Sequence, residues 1–200
     1  VLDVGAHIGT HAVDLGRIVG PKGRVYAFEP QKKLYRELVW NLRLNKVTKT
    51  VVPLRFALGT KNAVIEMNRA TPGNEGGTGV GKGGDKAELR TLDSFRFENL
   101  SLLKIDVEGF EDPVLKGAKK TITAQRPVIL IEVQGGYDLD RAPRPRQRNG
   151  WATIDILSRL GYRVHRVGIH DFLALPRKKG TRRPLSFQRT FTLKDRYFHT

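Results

Sequence analysis

The chain contains no cysteine. That excludes disulfide staples, thiolate zinc centres and cysteine nucleophiles, and it suits a reducing compartment. Long apolar runs are also missing: none approaches the ~18 residues needed to cross a bilayer, and no signal peptide is visible. The expected location is therefore cytoplasmic. There is no internal repeat and no linker between two domains. Acidic residues are the scarce charge, with 20 Asp+Glu against 36 Lys+Arg, a formal net charge of +16 at pH 7. Such an excess attracts polyanions and anionic surfaces but says nothing of fold. At 200 residues, 39% hydrophobic and 28% charged, the chain suits one globular domain. A domain of this size buries roughly 70% of its unfolded surface and needs no metal or disulfide to hold it. Val1 already lies inside an apolar run, so the chain is expected to be a domain cut from something longer.

What is present is an alternation of short apolar runs and amphipathic stretches. Residues 1–4 read as a strand entering a glycine turn, followed by a helix carrying Ala12, Val13, Leu15, Ile18 and Val19 on one face. Residues 24–29 (RVYAFE) form a second strand, Leu34, Leu38, Leu42 and Leu44 mark a second helix, and residues 51–58 form a third strand. This order predicts a parallel α/β sheet with right-handed crossovers. The alternation then breaks. Residues 63–67 and 87–92 are expected to form an inserted antiparallel β-hairpin, with seven glycines among residues 72–84 making a mobile loop between them. It resumes with strands at 102–107 and 127–133 around a helix at 112–123, then a helix at 151–160 and last strands at 162–167 and 172–175. The domain is expected to span residues 1–175, with a basic tail at 176–200.

Three clusters carry chemistry. In DVGAHIG (residues 3–9), glycine serves where the backbone bends and a ligand approaches closely. The spacing is G-x-x-x-G, not the G-x-G-x-x-G fingerprint, which argues against a pyrophosphate ligand. Asp3 is a carboxylate in an apolar strand: it either bonds local amides in the turn or faces a cation, such as a cationic ligand. Glu29 ends the second strand, where an acid can accept both hydroxyls of a ribose. Turn and acid together imply a nucleoside-containing ligand. The third cluster is KIDVEGFE (residues 104–111): Asp106 and Glu108 fall at or past a strand end, and Glu132 ends the next strand in the same way. These acids could orient a hydroxyl, act as general base or hold a divalent cation.

Together, VLDVGAHIGTH, RVYAFEPQ with Asn41 beyond it, Ala57-Leu58, RTLDSF (residues 90–95), LLKIDVEGFE (102–111), VLKGA (114–118) and RPVILIEV (126–133) resemble the FkbM family of S-adenosylmethionine-dependent methyltransferases. The resemblance runs from residue 1 to about residue 175. It implies a Rossmann-like class I fold: a seven-stranded, mostly parallel sheet with helices on both faces and only the last strand antiparallel. It assigns Gly5, Ala6, His7 and Gly9 to the cofactor's amino-acid end and Glu29 to its ribose, with Asp3, Thr10 and Pro30 beside them. Ala57 and Leu58 fall near the adenine, and Asp106 faces the methyl-transfer site. The implied cofactor is S-adenosyl-L-methionine and the implied acceptor a hydroxyl of a saccharide or glycan. Asp106 is the first choice for base or metal ligand, with Glu108 and Glu132 behind it; a divalent cation stays an open possibility.

Other features carry less. His7 and His11, four apart, could face one side of the first helix but lack the Glu of H-E-x-x-H; His7 is expected at the cofactor turn and His11 near it. Residues 76–82 nearly spell a P-loop, but Gly83 replaces the Ser/Thr, and no buried strand precedes or helix follows. A flap over the active site is the expectation there. Asn99-Leu-Ser101 reads as a chance glycosylation sequon. Eight Lys/Arg against one Asp lie in residues 176–200, and Arg141, Arg144, Arg146 and Arg148 lie in an insert at 138–150. That charge fits a solvated segment, an anionic acceptor, or docking to neighbouring domains of a larger glycan-building protein. An RNA or small-metabolite methyltransferase and a non-catalytic binding module are the rival readings. No RNA-binding motif favours nucleic acid.

Overall fold

The computed structural model describes residues 1–68, 79–133 and 148–177, and no account is given of the side chains of 148–151. Seven strands form the main sheet: β1 (Leu2–Val4), β2 (Val25–Phe28), β3 (Val51–Leu54), β7 (Leu102–Ile105), β8 (Val128–Glu132), β9 (Tyr162–Arg166) and β10 (Asp171–Pro176). Their order is β3-β2-β1-β7-β8-β10-β9. All run parallel except β10, which is antiparallel to both β8 and β9. The order reverses at β1, which pairs with β2 on one side and β7 on the other. Open α/β sheets bind ligands at such a reversal, beyond the carboxyl ends of the strands.

Two cores cover the two faces. On one, α1 (Thr10–Ile18) and α2 (Lys32–Leu44) pack Ala12, Val13, Leu38 and Leu42 against Val25, Ala27 and Val51. On the other, α3 (Glu111–Gly117), α4 (Lys119–Gln125) and α5 (Arg148–Arg159) cover Leu2, Val4, Leu103, Ile105, Ile129 and Ile131. The central strands are buried on both faces, which is why they read as near-continuous apolar runs. Each fully buried Leu, Ile or Phe contributes about 1.5–3 kcal/mol.

The structure corrects four expectations. The third strand does not run through residues 51–58. It ends at Leu54, and the chain turns at Phe56, whose ring meets Phe95 edge-on at 5.6 Å and lies 4.7 Å beneath the Arg90 guanidinium. Pro53 is tolerated because β3 is an edge strand. Residues beyond the turn form β4 (Ala57–Leu58), which joins the insert. The insert is thus not a bare hairpin: β6 (Gly83–Arg90) pairs antiparallel with β5 (Ala63–Asn68) and parallel with β4. The fourth strand of the α/β alternation stops at Ile105, two residues early, because the chain must turn into the site. The helix expected over 112–123 is two helices, broken at Ala118.

That break explains two motifs. Asp93, of RTLDSF, accepts bonds from the backbone N–H groups of Lys120 (3.0 Å) and Thr121 (2.8 Å) and from the Thr121 hydroxyl (2.8 Å), capping α4. Gly117, of VLKGA, lies against Gly59, where a Cβ would overlap the Gly59 carbonyl. The near-P-loop is no phosphate cradle: Lys82 leads directly into strand β6 rather than a helix. Residues 69–78 of the glycine-rich loop, residues 134–147 of the arginine-rich insert and the tail beyond 177 lie outside the described residues.

Asp93→Ala is expected to lose about 1–2 kcal/mol of stability in urea unfolding, with ligand binding in the main cavity unaltered. Weakened binding in the folded variant would give Asp93 a role beyond the cap.

Candidate active site

The three strands around the reversal end at one edge and are pinned there. Gly5 and Ala6 donate to the Phe28 carbonyl at 3.0 and 2.9 Å, and the Asp106 N–H donates to Val4 at 3.0 Å. Gly5 has φ +83°, and a Cβ on it would overlap the Asp106 carbonyl oxygen, so only glycine lets the turn after β1 meet the end of β7. Gly9 serves packing instead: a Cβ there would sit 2.6 Å from Leu38 Cδ1, on α2.

The edge opens into a cavity of about 350 Å³. Its wall brings together Gly5, Ala6, His7, Thr10, Glu29, Pro30, Ala57, Leu58, Asp106 and Glu108, ten of the residues singled out from sequence. Asp3, Gly9 and Glu132 are not in the wall. Sequence reasoning missed Phe56 and Met67, whereas Val80 belongs to residues 76–82, expected over the site. Phe56 adjoins a quoted motif. Met67 had no signal, since an isolated β-bridge to Val80 sets it beside the cavity. Gly79 and Val80 bring the end of the glycine-rich loop into the wall. His11 lines the cavity from α1, but His7 precedes that helix, at φ +51°, so the two do not share a helical face.

Glu29 is 4% exposed. Its Oε2 accepts the His7 N–H at 3.0 Å and its Oε1 accepts the Gln31 N–H at 2.9 Å. Those bonds fix both oxygens at the cavity and leave each a lone pair for a ligand hydroxyl. Burial pushes the carboxyl up to about 7, against the two amide bonds that favour its charged form. Phe56, Ala57, Leu58, Met67 and Val80 supply an apolar section suited to a planar base.

At the other end stand the three acids. Asp106, Glu108 and Glu132 each offer an oxygen, all within 4.8 Å of one another. The parallel register of β7 and β8 carries Asp106 opposite Glu132, while Glu108 joins them through a bend, with φ +53° at Glu108 and +89° at Gly109. Buried Glu111 holds that bend by accepting the Gly109 N–H at 2.9 Å. Glu132 is pushed up to about 8 by its hydrogen bond to Asp106, then by burial and the neighbouring negative charges. Burial alone would raise Asp106, but the bond from Glu132 and the Lys104 ammonium bring it below its ordinary value. Near neutrality Glu132 therefore holds the proton and Asp106 is ionised in the cavity wall. The same trio has the oxygen donors a divalent cation takes.

Asp3 is fully buried, and complete desolvation pushes its carboxyl up while Lys104 opposes the shift. Neither of its oxygens has a hydrogen-bond partner, so it does not bond local amides. Its cation is Lys104, at 3.4 Å.

Comparison with known proteins gives the family and the fold. Residues 3–164 match the family described as the methyltransferase FkbM domain. The chain is 31% identical over 142 residues to hexuronic acid methyltransferase AglP of Haloferax volcanii, a match covering 68% of this chain and 56% of that protein. The chain thus spans little more than half of that relative. Among solved structures, methyltransferase FkbM of Methylobacillus flagellatus superposes with TM-score 0.59 at 22% identity, covering 86% of this chain and 42% of that one. An O-methyltransferase of Bacillus cereus in complex with SAH gives TM-score 0.55 at 16% identity, covering 86% and 71%. These two likenesses speak to the fold, which is the Rossmann-like class I methyltransferase fold.

Glu29 sets a pH dependence. Between its ordinary value of 4.5 and about 7, the folded chain keeps a proton that the unfolded chain releases. Stability therefore falls as pH rises through that window, by on the order of 3 kcal/mol. Melting temperatures of Glu29→Gln are expected to depend less steeply on pH between about 4.5 and 7 than those of the wild type. Parallel curves would refute the raised carboxyl.

Proposed function

The chain belongs to the FkbM family of methyltransferases, and from that premise we propose that it is an S-adenosylmethionine-dependent O-methyltransferase whose acceptor is a sugar hydroxyl in a glycan or glycoconjugate. The observation that carries this reading is one cavity holding a glycine turn, a buried ribose-type acid and an ionised acid at the next strand end. The name of the Haloferax relative, a hexuronic acid methyltransferase, supports the sugar acceptor.

The residues fit the cofactor. Gly5, Ala6 and His7 offer close-lying backbone for its amino-acid end, Glu29 has free lone pairs for the ribose, and the section around Phe56, Leu58 and Met67 suits adenine. Bound there, S-adenosylmethionine supplies an electrophilic methyl group on a sulfonium. The chain's own task is then mainly positioning, since an in-line displacement needs the acceptor oxygen aligned with that carbon. A sugar hydroxyl is a weak nucleophile at neutral pH, and Asp106 removes its proton as the new bond forms. Glu132, protonated beside it, keeps Asp106 charged, and Glu108 completes the polar wall for the sugar.

Thermal shift and isotope transfer test this reading. S-adenosylmethionine or its demethylated product is expected to raise the melting temperature; no shift with folded protein would sink the cofactor assignment. Labelled methyl is expected to pass to a panel of hexuronate-containing glycans and not to RNA, and transfer to RNA alone would overturn the acceptor. Asp106→Asn is expected to lower kcat about 100-fold or more with the cofactor Kd near its wild-type value. Loss of transfer in EDTA, restored by a divalent cation, would assign the three acids to a metal instead.

A further inference from the structure

We propose that Lys104 is a positioning residue of the transfer site: its ammonium, held from behind by Asp3, fixes the Asp106 carboxylate at the cavity. The proposal rests on the reading of Asp106 as the acceptor's base. The parallel register sets Asp3 directly opposite Lys104 on neighbouring central strands. Lys104 Nζ lies 3.4 Å from Asp3 Oδ1 and donates to Asp106 Oδ2 at 3.1 Å. Side-chain exposure climbs along this row, from 0% at Asp3 through 8% at Lys104 to 34% at Asp106. Only the last member reaches the cavity wall.

A lysine in the middle of a sheet is rare, because its ammonium loses hydration and its long stem loses rotamer freedom. Asp3 answers the first cost: among the described residues neither of its oxygens accepts a hydrogen bond, and of the two cations its charge feels, Lys104 and His11, Lys104 is the stronger. The result is a charge-assisted bond that turns Oδ2 of Asp106 to the lysine, while the hydrogen bond from Glu132 holds the same carboxylate from the next strand. During transfer the acceptor's proton passes to Asp106 as the O–CH3 bond forms, and the S–CH3 bonding pair returns to sulfur. Lys104 keeps all its protons and makes no covalent bond.

Lys104→Met alone strands Asp3 as a buried unpaired charge and can unfold the chain, so the test is the double variant Asp3→Asn/Lys104→Met. Its crystal structure is expected to have the Asp106 carboxylate rotated from the wild-type position. On the glycan panel, kcat is expected to fall at least about tenfold with the acceptor KM and the calorimetric Kd for S-adenosylhomocysteine near wild type. Asp3→Asn alone, which keeps the Lys104–Asp106 bond, is the folding control. An unmoved Asp106, or wild-type kcat, overturns the proposal; where no acceptor turns over, the orientation decides. Failure of S-adenosylhomocysteine to bind the wild type would instead sink the cofactor reading. Should the double variant not fold, Lys104→Cys carrying either of two groups is compared, with calorimetric binding of S-adenosylhomocysteine at the wild-type Kd as the proof that each form has folded. The chain has no other cysteine, so alkylation in denaturant and refolding can install an aminoethyl or a propyl group. Activity and the wild-type Asp106 orientation are expected only with the charged group, and recovery with propyl overturns the proposal.

Discussion

A carboxylate buried in the central strand of a sheet must find a cation, and here the neighbouring strand provides it. Asp3 and Lys104 face each other because β1 and β7 pair in parallel at the point where the strand order reverses. The same pairing brings the carboxyl ends of β2, β1 and β7 to one edge. There, Gly5 can pass within contact of the Asp106 carbonyl only because it has no side chain. Slip that register by one residue and the charged row turns to the opposite face, into the aliphatic core. The site and the centre of the fold are therefore one arrangement.

The electrostatics of the cavity run against those of the chain. A net charge of +16 suggests a surface drawn to anions, yet the cavity wall carries Glu29, Asp106 and Glu108, with Glu132 beside them. Like charges this close cannot all stay ionised in a partly dry site. Burial and mutual repulsion are met by two backbone amides at Glu29, a shared proton at Glu132 and an ammonium at Asp106. Each device leaves a different group at the cavity: Glu29 with both oxygens fixed, Asp106 ionised. Net charge could not reveal this, because it sums over surfaces that never meet the cavity.

Much of the site was legible in the sequence for a local reason. The glycine turn, Glu29, Asp106 and Glu132 follow apolar strands directly, and strand ends at one edge converge whatever the loops do. Two motifs that carry the resemblance are structural: Asp93 of RTLDSF caps α4, and Gly117 of VLKGA lets α3 approach Gly59. The third strand was read too long, because an apolar run does not disclose the turn at Phe56, which is set by Phe95 and Arg90 more than thirty residues away.

By itself the sequence determined the order of strands and helices, the parallel sheet and the acids at the strand ends, since periodicity and turn chemistry act over a few residues. Only the tertiary structure decided which partners those acids take. Pairing between strands a hundred residues apart makes Lys104, rather than a local amide, the partner of Asp3. Register carries Asp106 opposite Glu132, and the bend at Glu108 and Gly109 brings the third carboxylate to them. Met67, in a segment with no motif of its own, joins the wall through a bridge to Val80. Charge in a folded chain is governed by distance in space and by access to water, and neither is written in the spacing of residues along it.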